Sequence, residues 1–175
     1  MSPEYKKPPH ISFKQFLEKF PEVQLPVTLS EETAHLFGKE NHPLPSLMVE
    51  QFILTPEEQK AMDDMTEFVP CFRLPDTHSF HALIYWRGAL MDHQFVMLTF
   101  TEDGRPIDRK VLAGLYSDGK EVVQSVAHIE DDWIIYVISG KQKADAKWGT
   151  DASQHTAREF ELLPEGQIVE NFLRE

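Results

Sequence analysis

Three short turns constrain this chain more than any other feature: Glu102-Asp-Gly-Arg105, Ser117-Asp-Gly-Lys120 and Pro164-Glu-Gly-Gln167. Each places a glycine after an acidic residue, between two apolar runs. Glycine takes the positive φ of a tight reversal without steric cost, as in a type I turn closed by a glycine bulge. Strands joined by so few residues pair antiparallel, because a parallel crossover takes about a dozen residues. The chain beyond Thr66 therefore predicts a meander, with strands near 67–74, 79–90, 93–101, 106–113, 121–129, 132–139, 155–163 and 167–172. A nucleotide-binding crossover sheet is incompatible with that order.

The apolar pattern ranks these strands. Ala82 to Trp86, Phe95 to Phe100 and Trp133 to Ile138 are apolar at nearly every position, which predicts burial on both faces. Later strands alternate: Glu159 and Glu161 flank Phe160, and Val123, Ala127 and Ile129 share a side with Ser125. Those strands are expected to keep one wet face. The stretch 140–154, GKQKADAKWGTDASQ, reads as a mobile polar loop in which Trp148 is an anchor or a contact residue. The second cover of the central strands is open at this point, between that loop and a second copy of the chain.

Before Thr66 the grammar is helical. Ser12 and Gln15 have capping-box spacing, and Phe13, Phe16, Leu17 and Phe20 recur at i, i+3, i+4 and i+7 before Pro21 stops the helix. Thr28 or Ser30 caps a second helix running through Phe37 to Gly38. Leu47 to Leu54 is read as a third, with Pro45 in its first turn. Thr55-Pro-Glu-Glu58 starts a fourth over 56–64, combining a cap, a first-turn proline and two acids near the positive helix end. The fold class is thus α+β. Short N-terminal helices (1–65) pack on an antiparallel β-meander sheet of about six to eight strands (66–175), in one domain spanning 1–175.

The segments LTFTEDGRPIDRKVLAG (98–114) and DDWIIYVISG (131–140) resemble a hairpin pattern in uncharacterised bacterial proteins with short N-terminal helices followed by an antiparallel meander. The resemblance covers residues 66–172 and implies that fold; it implies no activity. An internal echo between Leu98 to Ile107 and Phe160 to Ile168 fits two similar hairpins, with no third copy to make a repeat array.

Charge narrows the partners. The net charge is -12, and it is spread: residues 1–75 hold 7 basic and 12 acidic side chains, residues 76–175 hold 10 and 17. Nucleic acids and anionic membranes are held largely by Lys and Arg, so neither is an expected partner. Lys6-Lys7 and Arg109-Lys110 are too small to reverse this and read as solvated positions. One cysteine, Cys71, excludes an intrachain disulfide and a multi-cysteine zinc site, and its neighbours Phe68, Val69, Pro70 and Phe72 mark it as a buried hydrophobe. The first ten residues lack the apolar core of a signal peptide, so with Met1 as the start the expected location is the cytoplasm.

Two histidines and an acid, Asp76, His78 and His81, are the candidate metal ligands. Strand alternation argues against them, because residues three apart project to opposite faces, and His93 starts the next strand far from His78. Ser125, His128 and Asp131 or Asp132 fail as a hydrolytic triad for the same reason, and no Gly-x-Ser-x-Gly elbow is present. The acid run Glu130-Asp-Asp132 reads as a solvated turn, and no glycine loop is built to hold phosphate. No residue is assigned a catalytic or cofactor-binding role. Aromatics concentrated in the first half predict helix-on-sheet packing, and a pocket at that junction would have Tyr85, Arg87, Tyr116 and Tyr136 as polar tips. The leading functional expectation is a non-catalytic interaction module for a basic protein, an immunity-like protein being one form, or a homo-oligomer. The alternative is a small-molecule-binding protein or enzyme with a pocket between helices and sheet.

Overall fold

Ser12, Ser30 and Thr55 each accept a hydrogen bond from the backbone N–H three residues on, and each cap's own N–H donates to the side chain of that third residue. These reciprocal boxes start α1 (Phe13–Leu17), α2 (Glu31–Glu40) and α4 (Pro56–Ala61), and α3 (Ser46–Phe52) lies between the last two. The fold is that of a computed structural model, which describes residues 10–144 and 155–172. Several boundaries differ from the sequence reading. Gly38 is internal to α2, whose end is Asn41; the Asn41 amide donates to the Pro70 carbonyl at 2.8 Å and ties the helix to the sheet. Pro45 is the residue before α3, not in its first turn, and α4 stops at Ala61. Thr28 caps nothing, because Val27–Leu29 forms a short strand, β1. No described helix is long and apolar enough to cross a membrane.

The eight strands of the meander are β2 (Glu67–Arg73), β3 (Phe80–Ala89), β4 (Asp92–Thr101), β5 (Pro106–Ser117), β6 (Glu121–Ile129), β7 (Ile134–Lys143), β8 (His155–Leu162) and β9 (Ile168–Asn171). Each pairs antiparallel with the next, in sequence order. The glycine turns act as expected, with φ of 90° at Gly104, 89° at Gly119 and 98° at Gly166. The architecture is α+β.

The sheet does not stay flat. β5 pairs with β6 only through Gly114 to Ser117, and β1 takes its place beside Ala127 to Ile129. The freed half of β5 reaches the far end of the meander, where the Asp108 carboxylate accepts the Ile168 N–H at 2.8 Å. Buried Thr99 on β4 likewise donates to the Gly166 carbonyl at 2.7 Å. The meander thus folds back on itself. Phe72, Phe80, Ile84, Phe95 and Met97 from its first half pack with Ile129, Ile135, Val137, Phe160 and Leu162 from its second. Leu29 and Ala34, from β1 and α2, join that core.

The other face of β2–β4 lies under α1 and α3. Phe16, Phe20, Met48, Val49 and Ile53 cover Phe68, Leu83, Tyr85, Val96, Leu98 and Phe100. The Phe16 ring stacks on Phe52 at 4.6 Å and meets Phe20 edge-on at 5.1 Å. Each buried phenylalanine contributes about 1.5–3 kcal/mol by leaving water. β3 and β4 are therefore apolar on both sides because the chain's own far half covers one face and its helices the other; the central strands need no second copy as cover. β7 departs from expectation. Only Ile135, Val137 and Gly140 are buried, while Tyr136 and Ile138 are 44% and 58% exposed, because no described helix covers that outer face. Trp133 precedes the strand, in a turn with φ of 68°. Gly140 to Lys143 extend β7 where a loop was expected, and the remainder of that loop, with Trp148, lies outside the described residues.

Candidate functional site

The helix-covered face of the sheet is incomplete at one end. α4 buries none of its side chains, so a cleft of 290 Å³ remains between it and the sheet. Leu54, Ala61, Met62 and Phe68 form its apolar walls, and Glu58, Arg87, Asp92, Gln94 and Arg109 supply polar groups. Strand pairing explains the convergence: Arg87 lies opposite Phe68 and Gln94, and Arg109 opposite Leu98, so these side chains share the face that carries α1 and α3. Two ion pairs brace the walls, Arg87 Nη1 to Asp92 Oδ2 at 3.2 Å and Arg109 Nη1 to Glu58 Oε1 at 2.9 Å. The Thr55 backbone N–H, with Arg109 beside it, holds the Glu58 carboxyl below its ordinary range. The Gln59 amide donates to the Glu50 carbonyl at 2.9 Å and anchors the other side of α4.

Beneath this cluster stands Tyr85. Its side chain is fully buried, and its hydroxyl, which the Arg109 guanidinium approaches, makes no hydrogen bond of ordinary geometry among the described residues. Burial pushes its pKa up to about 12, and Arg109 is the charge that acts on it most strongly. A buried hydroxyl left unpaired costs about 1–3 kcal/mol. Adjoining the cleft is a second space of 330 Å³ that shares Leu54, Met62 and Phe68 and is bordered by Glu50, Asp63, Asp64 and Glu67. The two spaces differ in charge: two arginines and two carboxylates line the first, and four acids line the second.

Of the four residues expected at a helix–sheet pocket, Tyr85 and Arg87 come together here. Tyr116 and Tyr136 do not. Tyr116 is half exposed at the end of β5, beside a separate groove of 240 Å³ with Arg158, Phe160 and the Ser125 and Ser139 hydroxyls, which bond each other at 2.7 Å. Tyr136 faces outward from β7, opposite His128. Sequence reasoning missed Glu58, Asp92, Gln94 and Arg109. Arg109 sits in an exposed-looking Arg-Lys pair, and only the β4–β5 register shows that it faces α4.

Asp76, His78 and His81 border one surface groove, together with Glu22 and Arg73. Asp76 is in the loop, at φ of 61°; His81 is on β3 with its ring 5.7 Å from that of Phe13. Burial, with Arg73 nearby, lowers the His81 pKa. A guanidinium among these groups disfavours a metal cation, and no three His, Cys, Asp or Glu side chains converge on a point among the described residues. His128 bonds the Thr28 hydroxyl at 2.9 Å and pairs with Glu130, away from Ser125. Cys71 is buried, its thiol pKa raised by burial. A further cluster joins α2 to the sheet: His93 Nδ1 lies 3.4 Å from Glu31 Oε2 and its ring 5.1 Å from that of Trp86. Glu31 Oε1 and Trp86 Nε1 are buried there without hydrogen-bond partners among the described residues. Comparisons with protein-family models, with curated proteins and with solved structures give no match to this chain.

Proposed function

We propose that this protein binds a small molecule in the cleft between α4 and the helix-covered face of the sheet. One observation carries the reading: a fully buried tyrosine hydroxyl, without a hydrogen-bond partner of ordinary geometry among the described residues, lies beside the two arginine–carboxylate pairs that line a partly apolar cleft. Binding sites combine apolar walls with a few convergent polar groups, and their volumes start near about 300 Å³. The loosely packed α4 offers an access route, since it holds its place by polar contacts rather than by buried side chains. The test is a thermal-shift screen of small polar organic compounds on wild type and on Met62→Trp, which fills the cleft. Specific binding to the folded state raises its melting temperature. The reading expects compounds that stabilise wild type and leave Met62→Trp unmoved; compounds that stabilise both proteins equally would remove the cleft from consideration.

A second reading is a cytoplasmic interaction module for a basic protein, supported by the net charge of -12 and by exposed Tyr136 and Ile138 on β7. Opposite charge would speed that association. Its test is capture from a lysate at low and high salt with wild type and Ile138→Glu. A basic partner lost on the substitution supports it, and capture of nothing at low salt counts against it.

A further inference from the structure

We infer that the occupant of this cleft is a small organic carboxylate whose far end bears a hydrogen-bond donor such as an ammonium group. The inference rests on the preceding reading and adds to it the chemistry of the ligand. At its inner end both guanidiniums keep donors to spare, beside the Gln94 amide, which can donate or accept. Each guanidinium has five N–H groups and gives one to its own carboxylate, Arg87 to Asp92 and Arg109 to Glu58. The remaining N–H groups have the planar geometry that a carboxylate accepts from in bidentate fashion. The Tyr85 hydroxyl, buried beside Arg109, has no acceptor among the described residues and is a third donor. In a chain of net charge -12, a cleft whose two guanidiniums balance Glu58 and Asp92 is less acidic than its surroundings. Leu54, Met62 and Phe68 make the wall beside them apolar, which strengthens a charge-assisted bond.

The other end sets the tail. Past Met62, the ligand body would run into the space bordered by Glu50, Asp63, Asp64 and Glu67, where no basic side chain is among the lining residues. A second carboxylate there would meet like charge. An ammonium would meet opposite charge, and a neutral methyl would gain only apolar contact. The volumes of 290 and 330 Å³ confine the ligand to a small molecule.

Four probes of one length separate these terms: 6-aminohexanoate, hexanoate, adipate and hexylamine, each titrated into the 15N-labelled full chain and followed by amide chemical shifts. The expected result is perturbation centred on Leu54, Met62, Phe68 and Tyr85, with 6-aminohexanoate tightest, hexanoate next, and adipate and hexylamine weakest. Tyr85→Phe, which keeps the side-chain shape, and Arg87→Met should each weaken 6-aminohexanoate about tenfold, the effect of losing one strong hydrogen bond. Hexylamine binding as tightly as 6-aminohexanoate at these residues would overturn the carboxylate assignment and leave the cleft as a site. Adipate binding as tightly would overturn the donor-bearing tail. No perturbation at these residues by any probe would overturn both the ligand class and the site.

Discussion

Tyr85 gives the stability of this protein a distinctive alkaline limit. An unfolded tyrosine ionises near pH 10, whereas burial holds Tyr85 protonated up to about 12. Between those values the unfolded state has released a proton that the folded state retains, so stability falls as pH rises. The full loss is about 3 kcal/mol. Urea unfolding of wild type and Tyr85→Phe at pH 9 and pH 11 checks this; the other alkaline losses cancel between the two, and the wild type should lose more. His81 works at the opposite limit. Burial, aided by Arg73, lowers its pKa, so as pH falls the unfolded state takes up a proton first, near 6.5. The stability it confers is complete above that value and is lost on acidification through the lower folded-state pKa. His81→Phe, which keeps the ring against Phe13, should flatten the unfolding free energy between pH 7 and pH 5 relative to wild type. An unchanged slope would mean that His81 titrates alike in both states.

At the scale of elements, β5 is the hinge of the fold. Gly114 has φ of 153°, and a Cβ there would lie 2.0 Å from the His93 carbonyl oxygen, so no other residue lets β5 run this close to β4 before it leaves β6. Gly114→Ala should cost about 3 kcal/mol or more, read from chemical denaturation, because backbone rather than a movable side chain fills the space. A cost under about 1 kcal/mol would show that β5 can bend elsewhere. The elements differ in how far they could be read from sequence. β3, β4 and β6 begin and end close to their expected positions because Gly104 and Gly119 and the pattern of apolar residues mark them locally. β1 has no such mark: three residues pair with Ala127 to Ile129, about a hundred positions away, and nothing near Val27 announces that partner. β7 was misread for a related reason. Ile134, Ile135, Tyr136, Val137 and Ile138 give no alternation to show which face is dry, and only the placement of the helices leaves Tyr136 and Ile138 outside.

Over the whole molecule, one meander builds two cores by folding back, with its helices closing the outer face of β2–β4 and leaving a gap beneath α4. Two of the six polar residues at the cleft were legible. A tyrosine and an arginine, Tyr85 and Arg87, stand out at the end of a buried apolar strand, where polar groups need a reason to be. Glu58, Asp92, Gln94 and Arg109 were not, since they come from three elements and meet only through strand register and the position of α4. The central claim is that Tyr85 holds an unsatisfied donor for a ligand at a cost to the free fold. The most direct measurement is the melting temperature of wild type and Tyr85→Phe, each with and without saturating 6-aminohexanoate. Without the compound, the account predicts that Tyr85→Phe melts higher by about 2–4 °C, the shift expected for about 1 kcal/mol in a chain of this size. With it, only the wild type should gain substantially. A variant that melts lower than wild type without the compound would contradict the account, because the hydroxyl would then be paired in the free protein and serving the fold rather than a ligand.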